Sequence, residues 1–212
     1  MTKREFNKIV IPRDIESIPE FTCFSDLEEN ELVREMCIYI LREAEKEANK
    51  YRYGEVAIAY NLVKQSQATL NGSHHHIELN ESLNPAAKYF NDIIRDSDFS
   101  TVIIVHNHPN NMEFSFQDLR LFYGNDSIHS IIAVGNTSNV YIIIDENVDV
   151  PARRRLYVHM VRKRAEIMRN NPGIKNYQVD NLLSDEIRSI LEDPSEMLLN
   201  YGFRLIHKKR KR

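Results

Sequence analysis

The chain has only two cysteines, Cys23 and Cys37, in 212 residues. Two are too few for a disulfide framework and fit a reducing cytoplasm. No apolar run approaches the roughly 20 residues that a membrane span needs. The N-terminal stretch "MTKREFNKIVIPRD" lacks the apolar region of a secretory signal. Charge of one sign is also scarce: the formal net charge is −3, so the composition as a whole does not advertise a nucleic-acid partner. Internal repeats and low-complexity tracts are missing, and no signature specifies an oligomeric state. These absences point to a soluble, cytoplasmic protein with no membrane association. Its hydrophobic content of 42% and charged content of 28% are those of a globular chain, and its length is ample for a real core.

Hydrophobic periodicity divides the chain. Residues 1–28 form a mixed N-terminal extension containing Pro12 and Pro19. Leu32, Met36, Ile40 and Ala44 recur at helical spacing, which predicts a helix from about Glu29 to Lys50. "GEVAIAYNLV" alternates at Val56, Ile58 and Tyr60 and predicts a strand. Asn71-Gly72 in "TLNGSHHHIELN" carries the turn chemistry that joins hairpin strands. A helix follows in "NPAAKYFNDIIRDSD", with Asn84 as its cap, Pro85 at its first position, and Ala86, Phe90, Ile93 and Ile94 on one face. "TVIIV" is a continuous apolar run, suited to a central strand covered on both sides. "SFQDLRLFYG" predicts a short helix ending at Gly124, and "HSIIAV" and "VYIIID" predict two further strands. From Pro151 the pattern is helical and basic, and the chain closes with "KKRKR". The order implies one α/β or α+β core over about residues 30–148, a mixed β-sheet flanked by helices. Domain limits of 29–150 for that core and 151–212 for a basic helical C-terminal extension follow.

The chemistry gathers where "TVIIV" ends. His106 and His108 stand two residues apart on the strand, so both imidazoles project to one side, and Pro109 stops the strand. A catalytic zinc commonly takes three protein ligands and leaves a fourth position to water. Asp118, ten residues after His108 and one turn into the next helix, can supply the third ligand if the loop folds back over the strand end. Ser115 then caps that helix with its side chain beside the metal. The residues also permit plainer roles. Ser-x-x-Asp resembles a capping box, and either histidine can be a satisfied core residue. The combined frame of His-x-His-Pro, short loop and Ser-x-x-Asp after an apolar strand favours a site holding one Zn2+ per chain.

His106-Asn107-His108-Pro109 followed by Ser115 and Asp118 resembles the JAB/MPN/Mov34 metalloprotease motif, often called JAMM. The "HNHP" form looks like the bacterial branch, which includes RadC-type and phage- or mobile-element-associated domains. The resemblance covers roughly residues 50–148 and is specific at the motif alone. It implies an MPN/JAB-like fold and zinc bound by His106, His108 and Asp118. It further implies a serine, Ser115, that supports the tetrahedral intermediate, and a glutamate on an upstream strand acting as general base. One departure stands out: the loop "NNMEF" between Pro109 and Ser115 is one residue shorter than in many eukaryotic and RadC-type members. For the base, Glu55 opens the strand "EVAIAY", 51 positions before His106. A strand start meets a neighbour's end if the two run antiparallel. Glu47 and Glu78 compete with it, and Glu55 can also be a solvated strand-end carboxylate.

The remaining candidates have plain readings. His74, His75 and His76 alternate faces on any strand and gather no second cluster. His129 reads as a surface residue. "ARRRLYVHMVRKR" and "KKRKR" can touch a polyanion, though a solvated helix face explains them as well. The expected function is that of a zinc-dependent peptidase or isopeptidase. On the resemblance, its protein substrate would be the tail of a ubiquitin-like protein joined to a lysine. A RadC-like, DNA-associated protein and a non-catalytic MPN scaffold or binding module are the alternatives. The intact ligand set speaks against the scaffold.

Overall fold

The computed structural model describes residues 15–51, 54–72, 77–109, 113–146, 150–176, 178–180, 182–183 and 203–209. The elements run α1 (Leu27–Tyr51), β1 (Val56–Asn61), β2 (Ser66–Asn71), α2 (Ala87–Arg95), β3 (Val102–His108), α3 (Phe116–Gly124), β4 (Ile128–Gly135), β5 (Val140–Asp145), α4 (Val150–Asn170) and β6 (Phe203–Lys208). The six strands form one sheet in the order β2-β1-β3-β4-β5-β6. The β3–β4 pair is parallel, joined through α3, and every other pairing is antiparallel. This is a mixed sheet flanked by helices, an α+β fold, as the element order implied. Among the described residues, no helix is long and apolar enough to cross a membrane.

Strand β3 is buried along its whole length, as its apolar run predicts. Its alternate residues feed two separate cores. Val102 and Ile104 pack with Phe90 and Ile94 of α2 and with Leu119 and Phe122 of α3. Ile103 and Val105 pack on the other side against Val33, Cys37, Ile40 and Leu41 of α1. The α1 stripe at i, i+3 and i+4 is what places the helix flat on that face. Leu32, chosen from periodicity, lies at the margin of the stripe, partly buried against the same core. Both cysteines are buried and neither is in a disulfide. Burial raises the Cys37 thiol far above its usual range.

Several local expectations change. The hairpin of β1 and β2 turns at residues 62–65, not at Asn71-Gly72. There Asn61 Oδ1 accepts hydrogen bonds from the amides of Val63 at 2.9 Å and Lys64 at 2.6 Å, an Asx-type turn that the sequence signal of Asn-Gly overshadowed. Asn71 instead closes β2, and the Gly72 amide donates to the Glu55 carbonyl at 2.7 Å. In α2, Asn84 Oδ1 does receive the Ala86 amide at 3.2 Å, but Pro85 and Ala86 form the preceding turn. The buried residues are Ala87, Phe90 and Ile94, and Ala86 is exposed.

The C-terminal region is helical in α4, yet it returns to the sheet as β6. "FRLIHK" pairs antiparallel with β5, Tyr141 opposite His207. Its basic residues concealed the strand from a reading by hydrophobic alternation, and the open edge of β5 supplies the pairing. Arg153, read as part of a solvated basic face, is fully buried. It forms an ion pair with Asp145 and donates to the carbonyls of Phe122, Asn125 and Ile128. His74, His75 and His76 and the last three residues of the basic tail lie outside the described residues.

Candidate metal centre

The C-terminal end of β3 carries His106 and His108, 4% and 7% exposed, on the face shared with α2 and α3. Alternation makes them project together. Their rings meet edge to face, and their Nε2 atoms lie 3.0 Å apart. The third group comes from the first turn of α3. His106 Nε2 is 3.2 Å from Asp118 Oδ1, and His108 Nε2 is 3.3 Å from Asp118 Oδ2. Among the described residues, these three form the one group of His, Cys, Asp or Glu side chains with ligand atoms converging closely enough to hold a metal ion.

The donor spacing tests that possibility. Ligand atoms about 2.0–2.1 Å from a shared tetrahedral ion lie about 3.3 Å apart. The two Nε2 atoms lie 3.0 Å apart, close to that edge, and each meets a different oxygen of Asp118, at 3.2 and 3.3 Å. Two imidazole nitrogens and a carboxylate oxygen are also a donor set that zinc accepts. The residues present therefore fit the ion that the sequence motif implied.

The capping reading holds at the same time. Ser115 is the N-cap of α3: its Oγ accepts the Asp118 amide at 3.3 Å, and Asp118 Oδ2 accepts the Ser115 amide at 2.6 Å. The capping box is thus the device that aims the Asp118 carboxylate. It fixes the carboxylate by one oxygen while both oxygens face the histidines. Ser115 accepts with a lone pair and keeps its hydroxyl proton to donate.

Glu55 immediately precedes β1, and β1 runs antiparallel to β3 with Ala57 opposite His106. Ala57 and Ala59 belong to the core on the histidine side, so Glu55, in the same alternation, takes that face. It is half-buried. Burial is the main force raising its carboxyl, opposed by His108 and reinforced by Asp118, and the group is pushed up to about 7. For Asp118, burial also pulls upward. Attraction and hydrogen bonds from His106 and His108 outweigh it and hold the carboxyl well below the ordinary range. Two neighbouring carboxylates are thus driven in opposite directions, a pattern typical of functional sites.

Of the competitors for Glu55, Glu78 accepts the Asn80 amide within its own loop at 2.7 Å. The side chain of Glu47 lies outside the described residues. His129 is not a plain surface residue. It lies within β4, half-buried, between Ser100 at 3.1 Å and Glu29 at 3.4 Å.

Sequence reasoning missed Asp180, in the short helical stretch after α4. One of its carboxyl oxygens is buried with no hydrogen-bond partner. Burial raises its pKa, with Arg164 opposing and Asp118 adding to the rise. Leu183, three residues on, joins the core under α3, and Val179 beside it is fully buried. The C-terminal region therefore brings a carboxylate into the field of the centre, and no spacing in the sequence announces it. No family model, curated protein or solved structure matches the chain.

Proposed function

We propose that this protein is a zinc-dependent hydrolase of peptide or isopeptide bonds, of the JAMM type. The observation that carries the reading is the convergence of His106, His108 and Asp118 closely enough to hold a metal ion, with Glu55 on the same face. A zinc ion held by the three would supply a Lewis acid that polarises a carbonyl and lowers the pKa of a coordinated water toward about 7.

The chain's own groups do the rest. Glu55, with a carboxyl that titrates near neutrality, takes a proton from the attacking water and returns it to the departing amine. With an ion held by the three ligands, more of the Glu55 carboxyl would be ionised, as a base must be. Ser115 Oγ, already fixed by the Asp118 amide, directs its proton at the substrate oxygen as negative charge develops there. Asp118 offsets part of the metal's charge. The chemistry favours a protein substrate with an amide or lysine isopeptide bond, and the resemblance favours the tail of a ubiquitin-like protein.

Elemental mass spectrometry of purified wild type beside His108→Ala tests this. The expected result is about one zinc per wild-type chain, lost in the variant. Ubiquitin-like fusions would then be screened with Glu55→Ala as the inactive control. Absence of zinc from wild type after reconstitution would sink the hydrolase reading and favour a binding module.

A further inference from the structure

The residue between the two histidines faces away from them. Asn107 is fully buried, in the alternation of Ile103 and Val105, on the α1 side of the sheet. Its side-chain amide meets the backbone on both sides of Glu55. Asn107 Oδ1 accepts the Val56 amide at 2.7 Å. Asn107 Nδ2 donates to the Gly54 carbonyl at 3.2 Å and to Asn136 Oδ1 at 2.9 Å.

The chemistry of this set is closed. A primary amide has two N–H donors and an acceptor oxygen. Here both donors and the oxygen are used, and the opposite rotamer would set NH2 against an N–H group and oxygen against two oxygens. The Gly54 carbonyl belongs to the peptide unit before Glu55, and the Val56 amide to the unit after it. One side chain therefore holds both peptide planes that flank Glu55. The Gly72 amide, donating to the Glu55 carbonyl, holds the same residue from the β2 side. Asn136 anchors the clamp in turn, and its own amide donates to the His108 carbonyl at 3.3 Å.

We propose that Asn107 is a positioning residue. By gripping the Gly54–Val56 backbone through the sheet, it fixes where the Glu55 carboxylate stands relative to the two histidines on the other face. The linkage is short because Asn107 is the covalent neighbour of both His106 and His108. Any shift of the metal-binding strand end is passed directly to the base. This proposal rests on the hydrolase reading, with Glu55 acting beside a bound metal.

The test uses Co2+ loaded into the full chain, with the pH dependence of its visible absorption as the readout. The proteins are wild type, Glu55→Gln, Asn107→Leu and the Glu55→Gln/Asn107→Leu double variant. Asn136→Ala is a second route that loosens the clamp, for use if Asn107→Leu does not fold. The expected result is that all bind Co2+, that Glu55→Gln moves the midpoint of the spectral titration, and that Asn107→Leu moves it the same way by a smaller amount. The double variant should match Glu55→Gln, because Asn107 acts through Glu55 alone. A purely structural Asn107 would lower thermal stability and leave the midpoint where wild type has it, which overturns the proposal while the metal centre stands. A midpoint unmoved by Glu55→Gln would also overturn it, by removing Glu55 from the centre. Failure of wild type to bind Co2+ would end the hydrolase reading, and this proposal with it.

Discussion

Strand β3 has a histidine, a serine and carboxylates at each of its ends, arranged to opposite effect. At the N-terminal end, Ser100 Oγ lies 3.1 Å from His129 Nδ1 and 3.4 Å from Asp145, and His129 Nε2 lies 3.4 Å from Glu29. Buried Arg153 pairs with Asp145 there, so the charge is balanced from within the protein. The Ser100 and Thr101 amides are spent on the carbonyls of Asp126 and Ser127, which leaves no amide pair for a substrate oxygen. At the C-terminal end, His106, His108 and Asp118 bring ligand atoms close enough to hold a metal ion, and the Asp118 charge reaches Glu55. At one end Arg153 answers the Asp145 charge, and the other has the charge and geometry to receive a cation. Residue type alone does not distinguish them. What differs is whether the partners close the set.

That contrast is open to attack, beginning with the largest effect. Asp145→Ala strands the Arg153 guanidinium in the core without its counter-charge. Losing one partner of a buried pair typically costs about 3–5 kcal/mol. Urea unfolding should show a loss of that size, with metal binding at the other end retained by the folded fraction. An intact stability would mean that the N-terminal end is not the structural one.

Glu55 should give a change of the opposite sign. Its folded carboxyl is raised from 4.5 to about 7. Between those values the folded chain keeps a proton that the unfolded chain has released, so stability falls as pH rises through the window. The cost above it is of the order of 2–3 kcal/mol. In metal-free protein, Glu55→Gln should therefore be more stable than wild type near pH 8 and equal to it near pH 4. Equal stabilities near pH 8 would show the carboxyl to be well solvated.

The smallest effect concerns Ser115. Ser115→Ala removes a helix N-cap, a loss of about 1 kcal/mol in stability. The metal should stay bound, because the Ser115 amide still holds Asp118 Oδ2. Hydrolysis, once a substrate is identified, should fall by about 10²-fold or more for a lost oxyanion donor. Metal loss in this variant would show that the hydroxyl, not the amide, aims Asp118.

Much of this was legible from local pattern. The α1 stripe, the buried β3, the α3 cap and the shared side of His106 and His108 all follow from periods of 3.6 and 2 and from capping chemistry. The hairpin turn was misplaced because Asn61 makes it with a side-chain carboxamide, a weaker signal than Asn-Gly. The strand β6 was missed because six mixed residues have little preference of their own and gain it from the edge they meet. His129 and Arg153 were read as surface residues because their partners, Glu29 and Ser100 for the first and the carbonyls of Phe122, Asn125 and Ile128 for the second, are distant in sequence.

The sequence by itself determined most of the elements and the pair of histidines, since these depend on neighbours a few residues apart. It also determined that Asp118 would be held by Ser115, a bond spanning a single helical turn. Only the tertiary structure decided that Glu55 arrives beside His108, that Asn107 grips the chain on both sides of it, and that Asp180 enters the same field. Those meetings depend on β1 pairing antiparallel with β3 and on the C-terminal region folding back over α3. Strand pairing across some 50 residues is settled by the packing of both faces of the sheet at once, a sum that no local stretch contains.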